Sequence, residues 1–99
     1  MEDKITFEEE YYDNGKLSYE LQYLNGLKHG EQLSYHTNGE LQYKWQYLND
    51  LKHGEQLSYH FDGELSYKLY YINGDEVSYE EWVKYNRNLK LNSIWNKIK

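Results

Sequence analysis

Along residues 41–47 apolar and polar side chains alternate, Leu41, Tyr43, Trp45 and Tyr47 against Gln42, Lys44 and Gln46. Period two, with β-formers on the apolar side, predicts a strand with one buried face. Residues 31–36 alternate too, placing Leu33 and Tyr35 on one side and Gln32, Ser34 and His36 on the other. Between the two stretches stands Thr37-Asn38-Gly39. A two-residue turn there would pair His36 with Leu41 and Ser34 with Tyr43, mixing polar with apolar. A three-residue loop pairs Tyr35 with Leu41 and Leu33 with Tyr43 and keeps the apolar face intact, so burial selects it. A type I turn followed by a left-handed residue in a G1 bulge suits that loop and calls for glycine at 15, 39 and 63.

Those glycines are 24 residues apart, and so are Tyr11, Tyr35 and Tyr59, Leu17, Leu41 and Leu65, and Tyr23, Tyr47 and Tyr71. Segment 7–30 matches 31–54 at 13 of 24 positions, and 31–54 matches 55–78 at 13 again. The chain is therefore an array of three units, each one hairpin that cannot bury its apolar face alone. The link between units ends in Lys-His-Gly at 28–30 and 52–54. An odd loop of about five residues there pairs Tyr47 with Leu57 and Trp45 with Tyr59. The expected fold class is mainly β: a single-layer, six-stranded antiparallel meander of three β-hairpin repeats, one face aromatic and the other polar. Residues 1–99 form one domain, with repeats at 7–30, 31–54 and 55–78 and a helical segment at 79–98.

The units Tyr11-Tyr12-Asp13-Asn14-Gly15-Lys16-Leu17 and Tyr23-Leu24-Asn25-Gly26-Leu27-Lys28-His29-Gly30 resemble MORN-type repeats. Their tyrosine, Asn-Gly-Lys-Leu and second Asn-Gly-x-x-x-Gly turn are closest to the bacterial variant called the YwqK-family antitoxin. The resemblance covers roughly residues 7–78. It implies single-layer hairpin repeats, no catalysis, and protein binding that includes immunity against toxins; such repeats also occur in phage proteins. The chain departs from the pattern at Asp50, where glycine is usual, and at Glu76-Val77-Ser78, which replace Lys-His-Gly.

After Gly74 the alternation stops. Ser78 with Glu81 three residues on is a capping box, and Asp75, Glu76, Glu80 and Glu81 suit the positive end of a helix dipole. Trp82, Tyr85 and Leu89, then Ile94, Trp95 and Ile98, follow helical spacing. Asn86, Asn88 and Asn92 disfavour helix, which predicts a kink or break near 88–93 with Ser93 capping a second short helix. A helix of about 20 residues is ~30 Å long and six strands span about 24–29 Å. The expected arrangement lays the helix across the aromatic face.

Tyrosine is the most abundant aromatic, with 13 Tyr beside 3 Trp and 2 Phe, so a disordered chain is excluded. The absence of cysteine rules out disulfides, thiol catalysis and cysteine-ligated metals. No apolar run reaches the ~18–20 residues of a membrane span. The opening Met-Glu-Asp-Lys lacks a signal peptide's basic and apolar segments, which makes a cytoplasmic location the expectation. Charge divides the chain: residues 1–81 hold all 17 acids against 6 lysines, and residues 82–99 hold Lys84, Arg87, Lys90, Lys97 and Lys99 with no acid. So acidic a body does not neutralise phosphates, which argues against direct nucleic-acid binding.

His36 and His60 share a strand position and would lie two strands apart on the polar face; no third metal ligand accompanies them. Ser34 with His36 and Ser58 with His60 lack the orienting acid, oxyanion site and pocket of a triad. Repetition explains these residues more simply than chemistry does, so no cofactor, metal or catalytic residue is expected and the chain is not read as an enzyme. Three readings remain. The first is a non-catalytic module that captures and neutralises another protein, a toxin or defence effector with a basic surface, as an antitoxin, immunity protein or phage inhibitor. The second is an acidic mimic that blocks a nucleic-acid groove. The third is an assembly protein that oligomerises through a sheet edge or open aromatic face, a homodimer being the simplest case. For the first, the expected contact comprises the acids Glu8, Glu9, Glu10, Glu40, Asp62 and Glu64 with His36 and His60. Tyr12, Phe61 and Tyr70 join them as aromatics that break the local polar pattern.

Overall fold

The computed structural model describes residues 2–98; Met1 and Lys99, the last of the five basic residues at the C-terminal end, lie outside the described residues. The chain forms one antiparallel sheet of β1 (Ile5–Tyr11), β2 (Leu17–Leu24), β3 (Leu27–Lys28), β4 (Gly30–Tyr35), β5 (Leu41–Leu48), β6 (Leu51–Tyr59), β7 (Leu65–Ile72) and β8 (Asp75–Val77). A single helix, α1 (Tyr79–Ile98), follows. The strand order is β1-β2-β4-β5-β6-β7-β8, with β3 pairing β2 beside β4. This is the expected meander of three hairpin repeats and a C-terminal helix. It has eight strand segments rather than six, because β3 and β4 are one strand broken at His29 and β8 begins a fourth unit.

The hairpin loops form as expected. Gly39 N–H donates to His36 O at 2.9 Å and His36 N–H to Glu40 O at 2.8 Å, and the 12–16 and 60–64 turns repeat both bonds. Gly39 has a φ of 90°, which a side chain would strain. Tyr35 does pair with Leu41. The next pair, however, is Ser34 with Tyr43, so Gln42 is an extra residue in β5. Ser18 in β2 and Ser66 in β7 are passed over in the same way.

The expected Leu33–Tyr43 pair is therefore absent, and Leu33 stands opposite Lys44. Linking turns differ too. Asn25-Gly26, Asn49-Asp50 and Asn73-Gly74 have positive φ at both residues, the signature of a two-residue type I′ turn. Tyr47 consequently pairs with Lys52 and Trp45 with Gln56, not with Leu57 and Tyr59. Asp50 tolerates the left-handed region while its carboxylate accepts the Lys28 N–H at 2.7 Å.

These shifts redistribute the faces. One, the tyrosine face, carries a row of Tyr19, Ser34, Tyr43, Ser58 and Tyr67, each the partner of the next. Trp45 lies opposite Gln32 and Gln56, and Tyr47 and Tyr71 lie opposite Gly30 and Gly54. Large rings from β5 and β7 thus lean over small or polar residues of β4 and β6. The opposite face is not purely polar: it holds the pairs Tyr35–Leu41 and Tyr59–Leu65, and Leu33 and Leu57 beside Lys44 and Lys68.

The most buried side chains are polar. Gln56 is 1% exposed, Gln32 5% and Ser58 7%, and among the described residues no hydrophobic side chain is fully buried. The Gln32 amide donates to Gln22 O at 2.9 Å and accepts from Gln22 N–H at 3.2 Å. Gln56 Nε2 likewise donates to Gln46 O at 2.9 Å. The Gln32 amide thus stands in for a peptide group that the bulge at Gly30 withdraws from the ladder, while Gln56 supplies only the donor half beside Gly54 and its buried Oε1 has no partner.

Helix α1 begins as predicted. Glu81 N–H donates to Ser78 Oγ at 3.1 Å and Ser78 N–H to Glu81 Oε1 at 3.3 Å. It then continues to Ile98 without the expected break at 88–93 or a second cap at Ser93. Nor does it cross the tyrosine face. Trp82 stacks on Tyr70 at 6.1 Å and meets the His53 ring at 5.9 Å, while Tyr85 meets His53 at 5.6 Å. Tyr70 pairs with Glu55 and Val77, on the face opposite Tyr71. Residues 86–97 are all exposed. The radius of gyration is 16.4 Å, against roughly 13 Å for a compact chain of this length, as one layer with a projecting helix requires.

Candidate partner-binding surfaces

Seven of the eleven sequence-selected residues, Tyr12, His36, Glu40, His60, Phe61, Asp62 and Glu64, fall on one margin of the sheet, where the 12–16, 36–40 and 60–64 turns stack side by side. The repeat builds that margin through bonds between equivalent positions of successive units. Tyr12 Oη donates to Tyr35 O at 2.5 Å, and His36 Nε2 lies 2.9 Å from Tyr59 O one unit later. Asn14 Nδ2 donates to Thr37 O at 2.9 Å and Asn38 Nδ2 to Phe61 O at 2.8 Å. In the third unit Asp62 replaces asparagine, and its carboxylate has no hydrogen to hand on. No fourth hairpin turn follows either, since β8 leads directly into α1, so the ladder ends there, with Phe61 57% exposed and edge-on to the His36 ring at 5.5 Å. Asp62 and Glu64 belong to the same turn, and Glu40 Oε2 would lie 3.5 Å from a Cβ on Gly63, so this part of the margin carries negative charge.

The other selected residues lie apart. Glu8, Glu9 and Glu10 are on the edge strand β1. Glu8 accepts from Tyr23 Oη at 3.1 Å and Glu9 from Tyr11 Oη at 2.7 Å. That bond, more than the Glu9 charge, raises the Tyr11 hydroxyl above its ordinary value. Tyr70 sits beneath the helix between Tyr79 and Trp82, where its ring anchors α1.

A second surface was not legible as such. On the tyrosine face a groove of about 140 Å³ runs between Tyr19, Lys28, Gln32, Tyr43, Trp45 and Tyr47. Lys28 Nζ lies 5.2 Å from the Tyr47 ring centre, and Lys52 Nζ lies 4.7 Å from that of Trp45 and 5.1 Å from that of Tyr71. The two tyrosine contacts follow the repeat: each lysine reaches the tyrosine nineteen residues later, in the next unit. Glu76 takes the third place, opposite Tyr71. Burial is the main cause of raised Tyr19, Tyr23 and Tyr47 hydroxyl pKa values; Glu8 adds to the first two and Tyr71 to the third. Among the described residues no three histidines or acids gather as a metal ion would need, and none of the helices is long and apolar enough to cross a membrane.

A family model described as MORN repeat variant matches residues 8–25, 28–49 and 52–73. No curated protein and no solved structure matches the chain. The three matched segments cover more than half of the sequence and follow its three structural units. The chain belongs to the MORN repeat variant family.

Proposed function

We propose that this MORN repeat variant is a non-catalytic module that binds another protein through its hairpin-turn margin. The observation that carries the reading is Phe61: a large aromatic left open at the end of a hydrogen-bonded ladder of turns, on a margin that also carries Glu40, Asp62 and Glu64. An aromatic anchor supplies affinity and a surrounding charge supplies steering, the division of labour common at protein interfaces. The acids fit a basic partner, and the resemblance to antitoxin-type repeats makes a toxin or defence effector the class to seek, with capture and neutralisation as the outcome.

The test is affinity capture from the native host with the parent chain and with Phe61→Ala, followed by binding measurements on the protein recovered. Phe61→Ala should weaken binding at least tenfold while costing only about 0.5–1 kcal/mol of stability, the worth of its edge contact with His36. Reversing Glu8, Glu9 and Glu10 to lysine should slow association and flatten its salt dependence. A partner that binds both variants like the parent contradicts the reading.

A further inference from the structure

Strand β1 has a neighbour on one side only, β2, and every one of its residues is exposed. Just before it, Lys4 turns both peptide groups toward that neighbour: its N–H donates to Asn25 Oδ1 at 2.8 Å and its carbonyl accepts the Asn25 N–H at 2.8 Å. Pleating then turns the peptide groups of Thr6, Glu8 and Glu10 the same way and those of Ile5, Phe7 and Glu9 outward, away from the sheet. Ile5 and Phe7 are also apolar, and they are 57% and 58% exposed. Unpaired peptide groups beside exposed apolar side chains form a template on which another strand adds. Glu8 and Glu9 are already engaged, each accepting a tyrosine hydroxyl of its own sheet. Among the described residues neither the Lys4 ammonium nor the Glu10 carboxylate has an ion pair.

We propose that β1 pairs antiparallel with β1 of a second copy, joining two sheets edge to edge in a closed two-fold dimer. Outward peptide groups must meet outward ones, so the two-fold axis falls on a residue rather than between two. Charge decides which residue. An axis at Lys4, Glu8, Glu9 or Glu10 sets a charge against its own copy. At Ile5 it sets Glu2 against Glu8, and at Thr6 it sets Asp3 against Glu9 and Glu2 against Glu10. Only Phe7 leaves no like charges directly opposed. That axis lays Phe7 on Phe7, Ile5 beside Glu9 and Thr6 beside Glu8, and twice places Lys4 opposite Glu10. The acids that repel a misplaced strand thereby fix the register of the right one. Helix α1 is anchored on Tyr70 of β7, at the other end of the strand order. The proposal does not rest on capture of a foreign protein, and its test uses the pure chain alone.

Sedimentation velocity of the full chain from micromolar to near-millimolar concentration should show monomers and dimers in equilibrium and no larger species. Phe7→Pro should leave monomers, because the outward Phe7 N–H serves no bond within the chain and its loss removes the central bonds between copies. Lys4→Glu and Glu10→Lys should each weaken dimerisation about tenfold, since two like-charged pairs then form. Mixing these two single variants should restore the dimer, because both crossed pairs become opposite in sign; combining both changes in one chain should do the same. Circular dichroism checks that every variant keeps its strands. If Phe7→Pro does not fold, the charge variants decide. A parent chain that stays monomeric throughout overturns the proposal, as does growth beyond the dimer, which a head-to-tail union of β1 with β7 would give. So does a folded Phe7→Pro chain that dimerises like the parent, or a mixture no tighter than the single variants.

Discussion

The sheet and the helix are held in place by different means. Each unit of the sheet is tied to the next at both margins: Asn14, Asn38 and His36 reach forward at the hairpin turns, and Asp50 and Gly74 reach back to Lys28 O and Lys52 O at the linking turns. Between the margins, Gln32 and Gln56 complete the backbone ladder under a cover of rings. The helix has a complete N-terminal cap and one aromatic cluster against the sheet, around Trp82, and residues 86–97 beyond that cluster are exposed. A repeat supplies its own neighbour, so its stability is written into the period. A terminal element outside the period must find its support elsewhere.

Breaking the sheet side of this contrast should have the largest effect. Gly54 has a φ of 108°, and a Cβ there would lie 2.8 Å from Gln46 Oε1. Gly54→Ala should cost about 3 kcal/mol through backbone strain and displacement of that side chain, read as a cooperative fall in the urea midpoint. Next is Gln56→Leu, which leaves Gln46 O buried without its donor; about 2 kcal/mol is expected in the same assay. Trp82→Ala should act on the helix alone. Loss of its ring contacts should lower global stability by only about 1–2 kcal/mol while helical circular dichroism falls and strand signals persist.

The smallest effect is alkaline. Tyr19, Tyr23 and Tyr47 have hydroxyl pKa values raised above 10.0, burial being the first cause for each. The fold therefore favours their protonated forms. That contribution is complete below about pH 10 and is lost as pH rises through the higher folded values. Tyrosinate absorbance should show a late-titrating group of hydroxyls, with unfolding becoming easier across the same interval.

Much of this contrast is legible in the residues. The 24-residue step, the turn glycines and the Ser78–Glu81 capping box translate directly into structure, because each is a local rule with one good solution. The faces were harder to read. Parity assumes an unbroken strand, and the extra residues Ser18, Gln42 and Ser66 each invert it, bringing Gln32 and Ser34 under the rings in place of Leu33. The sequence does carry a signal for the separate irregularities near the linking turns: Gly30 and Gly54 inside apparent strands, each followed two residues later by a repeated glutamine. The helix was misplaced because length and hydrophobicity permit a crossing that the anchor Tyr70, on the other face, prevents. Of the candidate surfaces, the grouping of residues on the turn margin is legible because they occupy equivalent repeat positions, with Phe61 as the outlier. The lysine-lined groove was not, since it is assembled from residues that look like routine repeat positions.

Amide hydrogen exchange tests most directly the claim that the repeat stabilises itself and the outer helix is less well held. Protection in β2 to β7 should be strong and lost only with global unfolding, while protection of residues 86–97 should be weak and lost by local opening. Protection of 86–97 equal to that of the strands would contradict the account, because the helix would then be as stable as the sheet.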